Sequence, residues 1–309
     1  MLIKQRSEPL ELTILKTLNA RSLLNATDSV HFHNLDKGYR GEIMFDEYMK
    51  EVSNENNLIL NDLLLEYKNT IFQIDSLFQF SNSLHLFEVK NFEGDFIIDD
   101  EKWYSIGIMR KEIKNPLLQL KRTESLLRQL LQELGSPFPI EAHLVFINPN
   151  FHLYKAPADQ PIIYPSQLSR FREKLKSRSA VLKASNRKLA KQLLSLHMED
   201  NPYARVPKYR YDGLEKGIVC PGCQGFYGAG SFKMPHLICN GCGMVEPYET
   251  AVLRSVAEIR MLFPGVKITT NLVFEWCGVF KSKKTIWKIL AKNFKRVNQG
   301  KVSYYIDSN

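Results

Sequence analysis

The chain has 309 residues, 44% hydrophobic and 24% charged, with 42 lysines and arginines against 33 aspartates and glutamates and a formal net charge of +9. That length suits two or three domains of about 100–200 residues each, and the composition is that of a folded globular protein. No apolar run reaches the roughly 18 residues a bilayer-spanning helix needs, so a membrane span is excluded, while the positive charge favours a polyanion such as nucleic acid.

The first twenty residues interleave Lys4, Arg6, Glu8 and Glu11 with apolar side chains, unlike the unbroken apolar centre of a secretory signal. Four of the five cysteines fall in two CxxC pairs, a pattern that suits metal binding in a reducing compartment. A cytoplasmic location is therefore expected.

In chain order, a helical pattern begins near Gly38 and closes over 46–52, with Ile43, Met44, Tyr48 and Met49 on one face. Strand-like runs follow at 67–80 and 84–90, joined by the turn residues Ser81, Asn82 and Ser83, which predicts a hairpin. Asn115-Pro116 opens an amphipathic helix through Leu134, and Gly135-Ser136-Pro137 stops it. Residues 142–147 read as a buried strand, so this half is an α/β unit. A second helical pattern spans 168–198 and is rich in lysine and arginine. It suits a solvated linker or a face turned to nucleic acid.

Within the hairpin lies Asp75, then twelve residues, then Glu88-Val89-Lys90. The strand period of two puts Glu88 and Lys90 on one sheet face, a carboxylate beside a cation. Asp75 on the neighbouring strand can complete a site for a divalent cation. For phosphodiester hydrolysis such an ion polarises phosphate and activates water, and the lysine can orient the attacking water or stabilise charge on the pentavalent phosphate. The same residues also suit a salt-bridged strand pair.

With their surroundings these residues resemble the nuclease-related domain, NERD, of the PD-(D/E)xK restriction-endonuclease-like superfamily. The pieces that match are Gly38-Tyr39-Arg40-Gly41-Glu42, Ile74-Asp75, Phe87-Glu88-Val89-Lys90-Asn91 with Gly94, Trp103, and Asn115-Pro116 followed by Gln119. They span roughly 35–150, and Ile-Asp stands where the superfamily's name has Pro-Asp. The resemblance implies a central mixed sheet flanked by helices, Asp75 and Glu88 as Mg²⁺ or Mn²⁺ ligands, and Lys90 as the catalytic lysine. It further implies Glu42 as a helix-borne acid near the metal and Gln119 facing the site. Without it, Glu42 reads as a helix N-terminal acid and Gln119 as a solvated helix residue. Asn91, Trp103 and Asn115 are expected to be structural.

Cys220, Cys223, Cys239 and Cys242 give CxxC-x15-CxxC, the spacing of a zinc ribbon holding one structural Zn²⁺. Cys277 lies apart among Phe274, Trp276 and Phe280 and reads as a buried small residue. Helical patterns then cover 251–263 and 282–297, with a short helix capped at 269–271 between them, a turn at 298–300 and a strand at 302–306. That order is similar to a winged helix-turn-helix. Ser282, Lys283, Lys284, Thr285 and Lys288 would then contact nucleic acid, within a stretch that runs from Lys281 to Lys301 without an acid.

The expected organisation is a nuclease core at 1–165, a basic helical linker at 166–215, a zinc ribbon at 216–250 and a winged helix at 251–309. The expected function is metal-dependent hydrolysis of DNA, with the zinc ribbon and winged helix delivering the nuclease to duplex DNA and the ribbon or winged helix also open to a protein partner. The competing readings are a nucleic-acid-binding or signalling protein with an idle nuclease fold, and an RNA-processing nuclease.

Overall fold

The structure is a computed structural model that describes residues 1–309 apart from 137, 179, 229–230, 234, 281, 300–301 and 308–309. Pro137 of the expected helix stop, Gly300 of the expected turn, and Lys281 and Lys301 of the basic stretch therefore lie outside the described residues. The chain divides into two compact units, one of residues 1–9 and 33–204, the other of 10–32 and 205–309. Among the described residues no helix is long and apolar enough to cross a membrane.

The elements begin with β1 (Leu2–Lys4), α1 (Leu10–Arg21) and α2 (Ala26–Met49). The helix expected from Gly38 thus starts twelve residues earlier. Asn25 caps it: its side-chain oxygen accepts from the Asp28 N–H at 2.9 Å. The early turns are largely solvent-facing, so no apolar periodicity marks them.

In the first unit β2 (Leu58–Tyr67), β3 (Thr70–Gln79) and β4 (Leu84–Lys90) form an antiparallel meander, and β8 (Ile140–Phe146) and β10 (Ile162–Ile163) add parallel strands. With β1 parallel to β2 at the edge, the mixed sheet runs β1-β2-β3-β4-β8-β10. A smaller sheet, β7-β6-β5-β9, is built from β5 (Gly94–Asp99), β6 (Lys102–Ile106), β7 (Lys111–Ile113) and β9 (Phe151–Tyr154). Helix α3 (Pro116–Glu133) has Asn115 as N-cap, its side chain accepting from the Leu117 N–H at 2.9 Å, worth about 1 kcal/mol.

Two cores sandwich the main sheet. Leu84 and Leu86 of β4 enter one, with Trp103 and the α3 residues Leu120, Leu127 and Leu131. Phe87 and Val89 enter the other, with Phe45 and Met49 of α2. Each fully buried leucine contributes about 1.5–3 kcal/mol. Strand β4 is buried on both faces, which explains its near-continuous apolar reading.

The expected single helix over 168–198 is two, α4 (Leu168–Lys176) and α5 (Ala184–Ser195). Asn186, fully buried, starts the second by accepting from the Lys183 N–H at 2.8 Å and donates to the Phe80 carbonyl at 2.9 Å. Leu168 and Leu175 enter one core and Leu189, Ala190 and Leu193 the other. The basic stretch up to residue 204 is therefore part of the first unit's body and not a free linker, because its apolar stripe has a sheet to cover.

The second unit includes α1, which the expected division had placed in the nuclease core. Ile14 and Leu18 join its apolar core, and the fully buried Arg21 reaches Glu258 at 2.7 Å and stacks 4.2 Å from the Trp276 ring. Strands β11 (Phe232–Lys233), β12 (His236–Ile238) and β13 (Val245–Pro247) make a small antiparallel sheet. Helices α6 (Tyr248–Leu262), α7 (Thr270–Cys277) and α8 (Lys283–Asn293) follow, with Gly278 left-handed at φ +65° after α7. The helix expected to run to Val297 ends at Asn293. Phe294 is extended, and β14 (Phe294–Gln299) pairs antiparallel with β15 (Val302–Asp307) because the hairpin satisfies its backbone groups. An isolated bridge joins Ile268 to Tyr305.

Candidate active site

Asp75 owes its position to a break in β2 and β3. Leu60 and Leu63 lie in the same core, as do Ile74 and Leu77 opposite them, although strict alternation would separate each pair. The ladder runs from Asn61↔Ser76 to Leu63↔Ile74 and passes over Asp62 and Asp75; Asp62 takes φ +56°. Released from the ladder, the Asp75 carboxylate turns onto β4, where Oδ2 accepts from the Val89 N–H at 2.7 Å. Asp75 is thus pinned beside Glu88.

Glu88 and Lys90 do share a sheet face: Lys90 Nζ donates to Glu88 Oε1 at 2.7 Å and to Gln119 Oε1 at 3.1 Å. Glu42 comes from α2, which docks by close approach. A Cβ on Gly41 would stand 2.4 Å from Asn91 Cβ, so only glycine fits there. Asn91 donates to the Lys37 carbonyl at 2.8 Å and is itself held by Asn148 at 3.1 Å. The residue after the motif lysine therefore clamps α2 to the end of β4. Glu42, Asp75, Glu88, Lys90 and Gln119 line one cleft of about 560 Å³.

Arg6 completes the arrangement and had no local sequence signal. Its guanidinium donates to Glu42 Oε2 at 2.6 Å, to Asp46 Oδ2 at 2.8 Å, to the Asp75 carbonyl at 2.7 Å and to Ser76 Oγ at 3.2 Å. It acts as a positioning residue for α2 against β3.

Burial dominates the electrostatics. It pushes the Glu42 carboxyl up to about 8, with Asp75 adding to the effect and Arg6, shared with Asp46, too divided to reverse it. Burial and then Asp75 push Glu88 up to about 7. Asp75 is raised by burial against the opposing Lys90 charge and Val89 N–H. Burial works against the Lys90 charge as well, but Glu88 and Asp75 outweigh it and hold the ammonium above the usual lysine range. Four carboxyls, Glu42, Asp46, Asp75 and Glu88, face two cations, Arg6 and Lys90, so two negative charges are uncompensated when all ionise.

The four cysteines converge. Cys220 and Cys242 sulfurs are 3.7 Å apart, Cys223 and Cys239 sulfurs 3.5 Å, and all four lie within 4.8 Å of one another, a cluster that fits zinc. Backbone N–H groups of Cys242 and Gly241 hold the Cys239 thiol down at about 6. Cys277 is buried, and burial pushes its thiol up to about 12, so it is no nucleophile. Ser282 caps α8, accepting from the Lys284 N–H at 3.2 Å, and Lys283, Lys284 and Lys288 are exposed.

Residues 37–147 match the family model of NERD, the nuclease-related domain. That span, about a third of the chain, contains all five residues of the cleft named above. No curated protein and no solved structure matches the chain.

Proposed function

We propose that the chain is a Mg²⁺- or Mn²⁺-dependent nuclease that hydrolyses phosphodiester bonds of DNA, delivered to its substrate by the basic C-terminal helices. The observation that carries this is the convergence of Asp75, Glu88 and Lys90 on one cleft within the nuclease-related segment. The donor set fits a hard cation: the buried carboxylate oxygens of Asp75 and Glu88. Asp75 and Glu88 would hold it. Such an ion, when bound, would supply Lewis-acid polarisation of the scissile phosphate and a more acidic water.

The chain's own residues have separable tasks. Asp75 is oriented through the Val89 N–H, which keeps its other oxygen outside that bond. Lys90, half-buried between Glu88 and Gln119, would donate to an oxygen of the phosphate as negative charge builds there. Gln119 keeps the ammonium from folding wholly onto Glu88. Glu42, its carboxyl held by Arg6 at 2.6 Å, would stand beside the cation as the helix-borne acid of the cleft. Structural Zn²⁺ in the four cysteines would hold the small sheet of the second unit. The helices α6 to α8 and the hairpin after them have the order of a winged helix, with α8 as the DNA-facing helix.

The test is cleavage of linear, circular, single- and double-stranded DNA, and of RNA, with and without Mg²⁺. Cation-dependent DNA cleavage is expected, with Glu88→Ala and Lys90→Ala each slower by at least about 100-fold. Cleavage at the wild-type rate by both variants would overturn the assignment. Tight DNA binding with no cleavage would instead leave an idle nuclease fold.

A further inference from the structure

We propose that His85, Glu141 and His143 form a second cation site, for a first-row transition ion such as Zn²⁺, on the sheet face opposite to Glu88. Strands β4 and β8 are parallel neighbours with His85 opposite Glu141 and Phe87 opposite His143, so the three side chains leave the same face. Leu84 and Leu86, and hence Glu88, belong to the other face, and none of the three residues lines the cleft.

One ligand atom from each residue lies within 4.8 Å of the others. His85 Nδ1 is 3.0 Å from His143 Nε2, the two nitrogens that would face one ion, while the other nitrogen of the His85 ring, Nε2, is 3.3 Å from Glu141 Oε1. Two imidazole nitrogens bound to one tetrahedral Zn²⁺ stand about 3.3 Å apart, so these need shift by only a few tenths of an ångström. The rings are stacked at 5.3 Å with 13° between planes, and Phe171 packs edge-on to His143. They are preoriented.

Burial keeps both imidazoles neutral, down at about 3, with Arg178 and Lys174 adding to the effect on His85, and His85 adding to it on His143. Neutral imidazole is the metal-binding form. Glu141, 40% exposed, marks the way in. Ser83 Oγ, 3.4 Å from His85 Nε2, can accept that N–H once Nδ1 is committed to an ion, the outer support a histidine ligand needs. Arg178 donates to Glu141 Oε1 at 3.1 Å and to Ser83 Oγ at 3.0 Å, so guanidinium and ion compete for the carboxylate. A set of two nitrogens and one oxygen suits Zn²⁺ or Co²⁺ over Mg²⁺, unlike the all-oxygen cleft, and it would tie the strand that carries Glu88 to its neighbour.

The experiment titrates the full chain with Zn²⁺ and with Co²⁺ in excess Mg²⁺, reading stoichiometry by calorimetry and metal analysis. One equivalent is expected whose Co²⁺ form lacks thiolate charge-transfer absorption, which separates it from the cysteine cluster. His143→Ala and Glu141→Gln should each weaken it by at least about tenfold, while Glu88→Gln leaves it intact. Glu141 is half-exposed, so its variant keeps the fold if the histidine variant does not. Absence of that equivalent in the wild type, its persistence in both variants, or its loss in Glu88→Gln would each overturn the site and leave a hydrogen-bonded relay.

Discussion

Arg6 and Glu42 stand 36 positions apart in the chain and 2.6 Å apart in space. The Arg6 side chain is 1% exposed and holds two carboxylates, a backbone carbonyl and a hydroxyl at once. Removing one partner of a buried ion pair costs about 3–5 kcal/mol, because the other charge is left unpaired. Arg6→Met should therefore lower the urea midpoint of the first unit by a corresponding amount. Arg6→Lys should rescue little, since a single ammonium cannot span the four acceptors. An unchanged midpoint in Arg6→Met would show that the network contributes nothing to stability.

Stability without divalent cations should depend on pH through Glu88 and Glu42. Their folded values, about 7 and about 8, exceed the ordinary value of 4.5 for an unfolded glutamate. Folding then takes up protons. The contribution is fully present below pH 4.5 and is lost as pH rises through 7 and 8. Thermal melts in EDTA should show the midpoint falling from pH 5 to pH 8.5, a smaller fall in Glu88→Gln, and a smaller one again in wild type with Mg²⁺. A flat EDTA profile would contradict the buried, uncompensated carboxylates.

The four-cysteine cluster should retain one Zn²⁺ per chain through EDTA washing. Structural zinc contributes on the order of 10 kcal/mol to folding, and Cys220 and Cys239 sit within the second unit's apolar core. Cys220→Ser should release the metal and melt that unit while the first unit's transition persists. Elemental analysis that finds no zinc, with four thiols titrating freely in the native protein, would refute the site.

DNA binding by α8 should carry a salt signature. Lys283, Lys284 and Lys288 are exposed, whereas Lys292 is paired with Glu249 at 2.9 Å. Each neutralised phosphate adds roughly −0.9 to the slope of log K against log salt. Replacing all three lysines by alanine in the full chain should flatten the slope by about 3 and weaken binding to all duplex sequences alike. Equal slopes would move these helices to a protein-docking role.

Glu88 and Lys90 were legible in the sequence because alternation puts them on one face, and the short turn brings the strand of Asp75 alongside; the break that turns the Asp75 carboxylate onto β4 was not legible. The cysteine pairs were legible for a local reason too: each CxxC is a local turn. Tertiary structure alone decided the rest. Arg6 lies on no periodic element, and its partners come from a helix and a strand far along the chain. Gly41 reads only as part of the first helix and Asn91 only as a structural residue until α2 meets the end of β4. Helices α4 and α5 read as a basic linker because their charged faces dominate composition, while the few leucines that bury them show only against a sheet. His85 and His143 are brought together by a parallel crossover, a pairing whose register depends on contacts between distant strands and leaves no mark in local spacing.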